Sequence, residues 1–373
     1  MKVLFLTNIP SPYRVDFFNE LGKLCELVVA FERKDTYNRN YLWLSNEFDN
    51  FDSVFLKGYK TGADTAFCPS ITKIIKDGNF DRIIIGGYST PTGIWAIQYL
   101  TMKKIPFILN IDGGIIKTEN ILKHYVKKHF ISSASMWLST GRKSTEYLIH
   151  YGAKSENTYV YPFTSIKRSD LVDNIVSTAE KKILREKLSI IEENVILAAG
   201  QFIQRKGFDV LIKSASSLQK NTGVFIVGGE PTIEYLKIIQ TLAIQNVHFI
   251  GFRSKLELRE YFCASDVFVL PTREDIWGLV INEAMAYGLP IITTDKCIAG
   301  TELVKEGSNG FIVQTEKVDD LALKINRILK DRNLQNLMAK KSLETIEFYT
   351  IENMAKEIFM IISSKYVNLD KMK

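Results

Sequence analysis

DVFVLPTREDIWGLVINEAMAYGLP, residues 266–290, is the stretch of this chain that decides its fold class. The apolar, β-branched run at 267–270 predicts a short buried strand, and Pro271 ends it. Gly278 then precedes residues 279–286, whose apolar spacing predicts a helix. A buried strand that passes through a loop into a helix is typical of a parallel α/β sheet covered on both faces.

The loop between this strand and helix is charged, with Asp275 placed eight residues before Glu283. Gly278 at the helix entrance exposes backbone N–H groups, which suit an anion such as a phosphate. Two interpretations stay open on these residues alone. Asp275 and Glu283 belong to a binding site, or Asp275 caps the helix and Glu283 is a solvated helix residue.

A second informative stretch is VILAAGQFIQRKGFDVLI at residues 195–212. A buried strand runs into Gly200, and Arg205 and Lys206 then precede Gly207 and a helix. Two adjacent cations at the end of a strand can neutralise a diphosphate. The alternative is a solvated basic turn, which is the commoner role of a lone Arg-Lys pair.

Two further glycine turns follow predicted strands, at Gly228-Gly229 and at Gly251, where Phe252 and Arg253 come next. With the two stretches above, they make four turns at strand ends. Because parallel strands end at one edge of a sheet and ligands bind at that edge, the four turns together favour a binding site.

The same alternation of strands and helices extends through most of the chain, which predicts two doubly wound α/β units. Strands in the first half are predicted at 3–6, 27–31, 82–85, 107–111 and 136–139. Strands in the second half are predicted at 195–199, 224–227, 247–250, 267–270, 290–293 and 310–313. A last amphipathic helix is predicted at 351–366.

The domain boundaries follow from where this alternation pauses. We expect an N-terminal domain at 1–165, a polar linker at 166–193, a C-terminal domain at 194–348, and a helix and tail at 349–373. Two α/β domains of similar size would place their strand ends on either side of a cleft.

Composition excludes several classes of protein. The chain has 373 residues, 46% of them hydrophobic, which excludes disorder, and four widely spaced Cys predict reduced thiols rather than disulfides or zinc ligands. The net charge of +6 is too small to indicate nucleic acid. The short apolar run at 3–6 is a strand rather than a signal sequence, so we expect a cytoplasmic protein.

The motifs of the second half resemble those of retaining family 4 glycosyltransferases of the GT-B fold. That family carries a strand-glycine-basic segment, a Glu-x7-Glu motif in a proline-acidic-glycine-helix stretch, and later Gly-x-Glu-Leu-Val and Asn-Gly-Phe segments. The matching residues here are Gly200, Lys206, Gly207, Pro271, Asp275, Gly278, Glu283, Gly300, Glu302, Leu303, Val304, Asn309, Gly310 and Phe311. The matched spacing covers roughly residues 195–313.

The resemblance implies a donor site for a nucleotide sugar, with a UDP-sugar as substrate and neither a metal nor another cofactor. Lys206, helped by Arg205, would hold the diphosphate, and Asp275 would face the transferred sugar. The remaining donor-site residues implied are Gly200, Gly228, Phe252, Arg253, Gly278, Leu279, Val280 and Glu283. Among these, the amides of 278–280 would bind the diphosphate, Glu283 the ribose, and Phe252 and Arg253 would lie near the base.

This chain departs from the family pattern at two positions. The first acidic residue of the motif is Asp275 rather than Glu, so its side chain is one methylene shorter. The residue after the first glycine is Gln201 rather than the usual Arg, and Arg205 is the candidate replacement for that charge.

In the first half, the resemblance points to an acceptor side. Asp112 and Gly113 follow a predicted strand where relatives often carry a His, and Asp112 is the candidate acceptor-side and catalytic residue. Arg14 begins the first helix and is a second candidate. The alternatives are an ordinary turn carboxylate for Asp112 and a simple helix start, capped by Ser11 with Pro12 in the first position, for the segment around Arg14.

The positive charge of the first half is concentrated in residues 117–143. Residues 1–165 hold 20 Lys and Arg against 15 Asp and Glu, and 117–143 alone holds six basic residues against Glu119. Apolar residues alternate with lysines there, which predicts a basic amphipathic helix that meets an anionic membrane surface. The alternative is an ordinary solvated helix face.

Taken together, the sequence predicts an enzyme that transfers a sugar to a saccharide or lipid-linked glycan acceptor with retention of configuration. The expected setting is surface polysaccharide assembly at the inner face of the membrane. Two rivals stay open: a nucleotide-sugar epimerase of similar fold and a non-catalytic scaffold of the same fold. A Rossmann dehydrogenase is disfavoured because no GxGxxG follows a predicted strand.

Overall fold

The structure is a computed structural model that describes residues 1–34 and 48–364. The chain divides into two compact units. The first unit comprises Met1–Ser165 together with Thr350–Lys373, and the second comprises Ile166–Tyr349. The segment 166–193, which we assigned to a linker, is therefore grouped with the second unit.

The described residues of the first unit form a seven-stranded parallel sheet in the order β3-β2-β1-β6-β7-β8-β9, with a separate antiparallel pair β4-β5. The strands are β1 (Lys2–Thr7), β2 (Glu26–Phe31), β3 (Asp52–Phe55), β4 (Tyr59–Lys60), β5 (Ala66–Phe67), β6 (Arg82–Ile85), β7 (Ile108–Asn110), β8 (Met136–Ser139) and β9 (Thr158–Val160). Its first five helices are α1 (Pro12–Gly22), α2 (Ile71–Asp77), α3 (Pro91–Met102), α4 (Ile121–Ser132) and α5 (Arg142–His150).

The described residues of the second unit form a six-stranded parallel sheet in the order β12-β11-β10-β13-β14-β15. The strands are β10 (Asn194–Ala199), β11 (Thr222–Val227), β12 (Val247–Ile250), β13 (Val267–Leu270), β14 (Ile291–Thr294) and β15 (Gly310–Val313). The helices are α6 (Thr178–Lys187), α7 (Phe208–Ser214), α8 (Ile233–Thr241), α9 (Lys255–Ala264), α10 (Leu279–Ala286), α11 (Ile298–Leu303), α12 (Val318–Lys330) and α13 (Arg332–Ile346).

Both sheets have buried central strands, as the continuous apolar runs predicted. Every residue of β10, β11 and β13 is buried, and so is every residue of β1 after Lys2. Helices cover both faces of such a sheet, which is why these strands are apolar throughout rather than alternating. The predicted pair of doubly wound α/β units is confirmed.

The last helix, α14 (Ile351–Ser363), returns to the first unit and packs along α1. Its buried face includes Ile351, Met354 and Ile358, and Arg82 Nε on β6 donates a hydrogen bond of 2.9 Å to the Ile362 carbonyl oxygen. The helix ends at Ser363, three residues before the predicted end at 366, which lies outside the described residues.

The strands that the sequence did not predict are the short ones at the edges of the first sheet and in the separate pair β4-β5. β3, β4, β5 and β9 have two to four residues each, and most of those residues are partly or fully exposed. They lack the continuous apolar run that predicts a buried strand. α7 ends at Ser214, and a 3-10 turn at Ala215–Ser217 continues it.

Candidate active site

The four glycine and proline turns of the second unit follow β10, β11, β12 and β13, which are adjacent in the sheet. All pairings among these strands are parallel, so their carboxyl ends share one edge. The predicted convergence of the four turns is therefore present. At this edge the loop after β13 contacts the basic segment after β10, and the residues of these two segments form a candidate site.

Close backbone packing brings the turns together and requires glycine at two positions. Gly228 has φ +150°, and a Cβ added to it would lie 2.0 Å from the Gly200 carbonyl oxygen. Gly207 has φ +67°, and its added Cβ would lie 2.1 Å from the Pro271 carbonyl oxygen. A side chain at either position would separate the turns, so glycine sets the distance between them.

Lys206 and Asp275 form the central ion pair of this edge. Lys206 Nζ lies 2.5 Å from Asp275 Oδ2, and the two side chains are only 13% and 11% exposed. Arg205 Nη1 lies 3.5 Å from Asp275 Oδ1 and also donates to the Glu274 carbonyl oxygen at 2.7 Å. The alternative of a solvated basic turn is wrong for Lys206, because its ammonium group is held between two loops. Arg205 is more exposed, at 43% of its side chain.

A second ion pair fixes the loop that carries Asp275. Arg273 donates to both carboxylate oxygens of Asp209 on α7 at 2.8 Å, and its backbone N–H donates to the Arg205 carbonyl oxygen at 2.8 Å. Burial raises the pKa of Asp209, but the Arg273 guanidinium outweighs burial and holds that pKa below its ordinary value. The bidentate geometry joins the loop after β13 to α7. Sequence analysis missed this pair.

The entrance of α10 is shaped by Gly278, which is its N-cap with φ +97°. The alternative in which Asp275 caps this helix is therefore wrong. A Cβ at Gly278 would lie 2.8 Å from Cys297 Sγ, and that thiol donates to the Trp277 carbonyl oxygen at 3.2 Å. Burial raises the pKa of Cys297 to about 12, so this cysteine is a packing thiol rather than a nucleophile.

The remaining donor-side candidates lie around this edge with partial exposure. Leu279 and Val280 form the first turn of α10, and Glu283 lies one turn further along; all three are partly exposed. Phe252, in the loop after β12, is 42% exposed, and Arg253 Nη1 donates to its carbonyl oxygen at 3.2 Å.

In the first unit, Arg14 and Asp112 form an ion pair at the corresponding edge. Asp112 follows β7 and its side chain is 38% exposed, whereas the Arg14 side chain on the first turn of α1 is only 5% exposed. Burial disfavours the charged guanidinium, but Asp112 beside it raises the pKa of Arg14 above its usual range. Arg14 therefore orients Asp112, and Asp112 is the member of the pair that reaches solvent. Gly113 follows it directly.

The helix start near Arg14 differs from the simple capped start considered above. Ser11 is the N-cap of α1 but makes no side-chain capping hydrogen bond, and Pro12 occupies the first position. The Arg14 guanidinium instead packs over aromatic rings, including those of Tyr13 and Phe163, each with its centroid 5.6 Å away. These stacking partners hold the guanidinium in place.

Two buried polar groups near this pair were also missed from the sequence. The Tyr161 hydroxyl and Asn110 Oδ1 are buried, and burial raises the pKa of Tyr161 above its usual range. Asn110 Nδ2 lies 3.4 Å from Asp112 Oδ1. Asn110 lies at the end of β7, just before the turn that holds Asp112. This position at a strand end is the signal in the sequence that points to Asn110.

Comparisons with known proteins identify the family of the chain. A family model described as "Glycosyl transferases group 1" matches residues 180–345. An uncharacterized glycosyltransferase of Haemophilus influenzae is 30% identical over 263 residues, which are 67% of this chain and 74% of that protein. The N,N'-diacetylbacillosaminyl-diphospho-undecaprenol alpha-1,3-N-acetylgalactosaminyltransferase of Campylobacter jejuni is 23% identical over 310 residues, covering 80% of this chain and 79% of that protein.

Solved structures match over nearly the whole chain. Anabaena HepE in complex with UDP has a TM-score of 0.76 at 18% identity, covering 96% of this chain and 98% of its own. WaaG, described as a glycosyltransferase involved in lipopolysaccharide biosynthesis, has a TM-score of 0.66 at 17% identity, covering 97% and 100%. The two Rossmann-like units thus define a protein of the GT-B fold. The chain belongs to the group 1 glycosyl transferases, and family and fold together support an enzyme that transfers glycosyl groups.

Proposed function

We propose that this chain transfers a sugar from a UDP-sugar to a saccharide or lipid-linked glycan acceptor, with retention of anomeric configuration. The observation that carries the proposal is the ion pair of Lys206 with Asp275, with Arg205 beside it and the α10 entrance adjoining. Crystal structures of the similar protein HepE are described as complexes with UDP and with UDP-glucose, which supports a uridine diphosphate donor.

In this proposal, cations and amides of the second unit hold the donor diphosphate. Lys206 and Arg205 contribute positive charge, and the N–H groups at the start of α10, from Gly278 to Val280, contribute hydrogen bonds. Gly200 and Gly228 leave the backbone accessible because they carry no side chain. Glu283 accepts hydrogen bonds from the ribose, and Phe252 with Arg253 packs near the base.

The chemistry follows from where charge develops. The anomeric C–O bond of the donor breaks, and its electron pair moves onto the departing diphosphate, which Lys206 and Arg205 stabilise. The acceptor oxygen forms the new bond on the same face of the sugar, and its proton passes to the departing diphosphate. Asp275 faces the transferred sugar. Because two cations neutralise the leaving group, we propose that the reaction requires no metal ion.

The acceptor side of the proposal rests on the first unit. Asp112 reaches solvent at the carboxyl end of β7 with Arg14 fixing its orientation, so we propose that Asp112 and Gly113 contact the acceptor. The Campylobacter jejuni relative is named for an undecaprenol-linked substrate, which supports a lipid-linked glycan and surface polysaccharide assembly. We also propose a peripheral location at the inner face of an anionic membrane, through residues 117–143.

A donor panel tests this proposal. We expect one or more UDP-sugars to raise the melting temperature and to be turned over with release of UDP, and EDTA to leave turnover unchanged. Lys206→Ala should lower kcat/KM at least about 100-fold, because it removes a cation at the developing charge. Glu283→Ala should mainly raise KM.

Lys213→Ala is the matched control, since this α7 lysine is 42% exposed and pairs loosely with Asp209 at 3.5 Å. Wild-type turnover in Lys206→Ala would show the diphosphate assignment to be wrong. UDP binding without turnover of any donor would favour the scaffold alternative.

A further inference from the structure

The helix α4 presents apolar side chains to the outside. Ile121, Leu122, Tyr125 and Val126 are 76%, 74%, 62% and 48% exposed, and Ile131 is the helix's buried residue. Their spacing of i, i+1, i+4 and i+5 places them on one face. In the described part of the chain, no other helix exposes more than two large apolar residues.

The inner side of the first two turns of α4 is, by contrast, polar. Lys127 Nζ lies 2.5 Å from Glu119 Oε2, and the Tyr151 hydroxyl on the segment after α5 donates to Glu119 Oε1 at 2.6 Å. The His124 ring lies 5.2 Å from the Tyr151 ring. Burial alone would lower the pKa of Lys127, but its bonds to Glu119 and Tyr151 raise that pKa above its ordinary value. α4 is therefore attached by polar contacts in its first two turns and by Ile131 and Phe130, which pack against the core, at its end.

Positive charge surrounds the outward face. Lys123 and Lys128 are exposed on α4, and Arg142 and Lys143 are exposed at the start of α5. Glu119, the single carboxylate of 117–143, is only 8% exposed and is held by Lys127. The nearest exposed acidic residue along α5 is Glu146. The exposed surface of this segment therefore carries positive charge. Lys127 does not contribute to that surface charge, because it is paired with Glu119.

We propose that this outward face of α4 docks on an anionic lipid bilayer, with Ile121, Leu122, Tyr125 and Val126 inserted at the boundary of headgroups and acyl chains. Lys123 and Lys128 then bind lipid phosphates, their stems lying along the apolar face. This names the contact residues of the peripheral location proposed above and rests on that proposal for its biological setting. Apolar residues flanked by lysines match an anionic bilayer in both hydrophobicity and charge.

The docking face is close to the proposed acceptor side within the same unit. Six residues separate Gly114 from Ile121, and Gly114 follows Asp112 and Gly113 directly. A connection of this length spans at most about 25 Å. A bilayer that binds α4 would therefore be near the carboxyl edge of the first sheet, where a lipid-linked acceptor has to arrive.

Flotation of the full chain with vesicles tests the proposal without any donor or acceptor. We expect binding to vesicles of phosphatidylglycerol and phosphatidylcholine in equal parts, weaker binding to phosphatidylcholine alone, and weakening by salt. K123Q/K128Q should reduce binding to the anionic vesicles roughly tenfold or more. Each lysine near the surface contributes about 1 kcal/mol of binding free energy, and about 1.4 kcal/mol is a tenfold change in Kd. I121S/L122S should reduce binding to both kinds of vesicle.

The matched control is I233S/L256S, which removes two side chains of the second unit that are 73% and 76% exposed. It should bind like the wild type, and every variant should keep the wild-type response to UDP-sugars. Failure of donor turnover alone would thus leave this inference standing.

Absence of wild-type binding to anionic vesicles would overturn the inference, and so would α4 variants that bind like the wild type. Dimerisation that I121S/L122S abolishes, in a chain that does not bind vesicles, would assign the face to a second copy instead.

Discussion

Asp275 is held by two cations, Lys206, which is largely buried, and Arg205, which is exposed. The two cations therefore differ in how much each contributes to stability. Lys206 is 2.5 Å from one carboxylate oxygen, and Arg205 is 3.5 Å from the other. A contact of 3.5 Å at an exposed side chain contributes little stability, whereas the buried contact leaves an unpaired charge when either partner is removed. Asp275, shorter than the Glu of the family pattern, thus reaches the lysine of the motif.

A double-mutant cycle on Lys206 and Asp275 tests this pairing. Lys206→Met and Asp275→Asn should each lower the free energy of unfolding by about 1–3 kcal/mol, because each leaves its partner buried without its counter-ion. The double variant should lose less than the sum by about 1 kcal/mol or more. Urea denaturation measures all three, and strict additivity would contradict the pairing.

Gly228 supplies a second test at the residue scale, with a matched control next to it. Gly228→Ala should cost more than about 2 kcal/mol of stability and weaken UDP binding, because its Cβ would meet the Gly200 carbonyl oxygen at 2.0 Å. At Gly229 an added Cβ meets nothing within 4 Å, so Gly229→Ala should stay within about 0.5 kcal/mol. Equal effects of the two variants on the melting temperature would argue against close packing of the turns.

Among the secondary-structure elements, α14 is distant in sequence from the unit that it stabilises. It follows the second unit along the chain, yet it packs on α1, where Val15, Phe18 and Leu21 are among the buried residues. Because Ile358 is 1% exposed, its side chain contributes to the core of the first unit.

Ile358→Ala should destabilise the first unit by about 2–4 kcal/mol through the cavity that it leaves. Hydrogen exchange should accelerate in β1 and α1 and stay unchanged in β10 and β11. Met360→Ala, at a position that is 43% exposed, is the control and should leave exchange unaltered. Faster exchange in β10 and β11 alone would contradict the assignment of α14 to the first unit.

The elements also show what the sequence could predict. β13 and α10 have the predicted bounds, because a four-residue apolar run followed by a glycine before a helical pattern is a local signal. The Arg273–Asp209 pair left no such signal, since its residues are 64 positions apart. The outward direction of α4 was also beyond prediction. The helical period reveals an apolar face, but the burial of Ile131 and the contacts of Glu119 with Lys127 and Tyr151 are needed to show which face is turned inward.

For the whole molecule, the net charge of +6 has little meaning until it is divided between the units. The second unit, residues 166–349, holds 24 basic against 24 acidic residues, so the whole excess of six falls in the first unit, five of it within residues 1–165. The second unit is therefore neutral overall and has Lys206 and Arg205 beside Asp275 at its candidate site, whereas exposed lysines of α4 contribute to the positive charge of the first unit. In the described part of the chain, no helix is long and apolar enough to cross a bilayer.

Analysis of the acceptor product by mass spectrometry and NMR tests the central claim most directly. The chain is incubated with each UDP-sugar that raises its melting temperature and with an undecaprenyl-diphosphate-linked saccharide. The account predicts an acceptor heavier by one glycosyl residue, one UDP released for each transfer, and the donor's anomeric configuration in the new linkage. An epimerised nucleotide sugar with unchanged acceptor, or a linkage of inverted configuration, would contradict it.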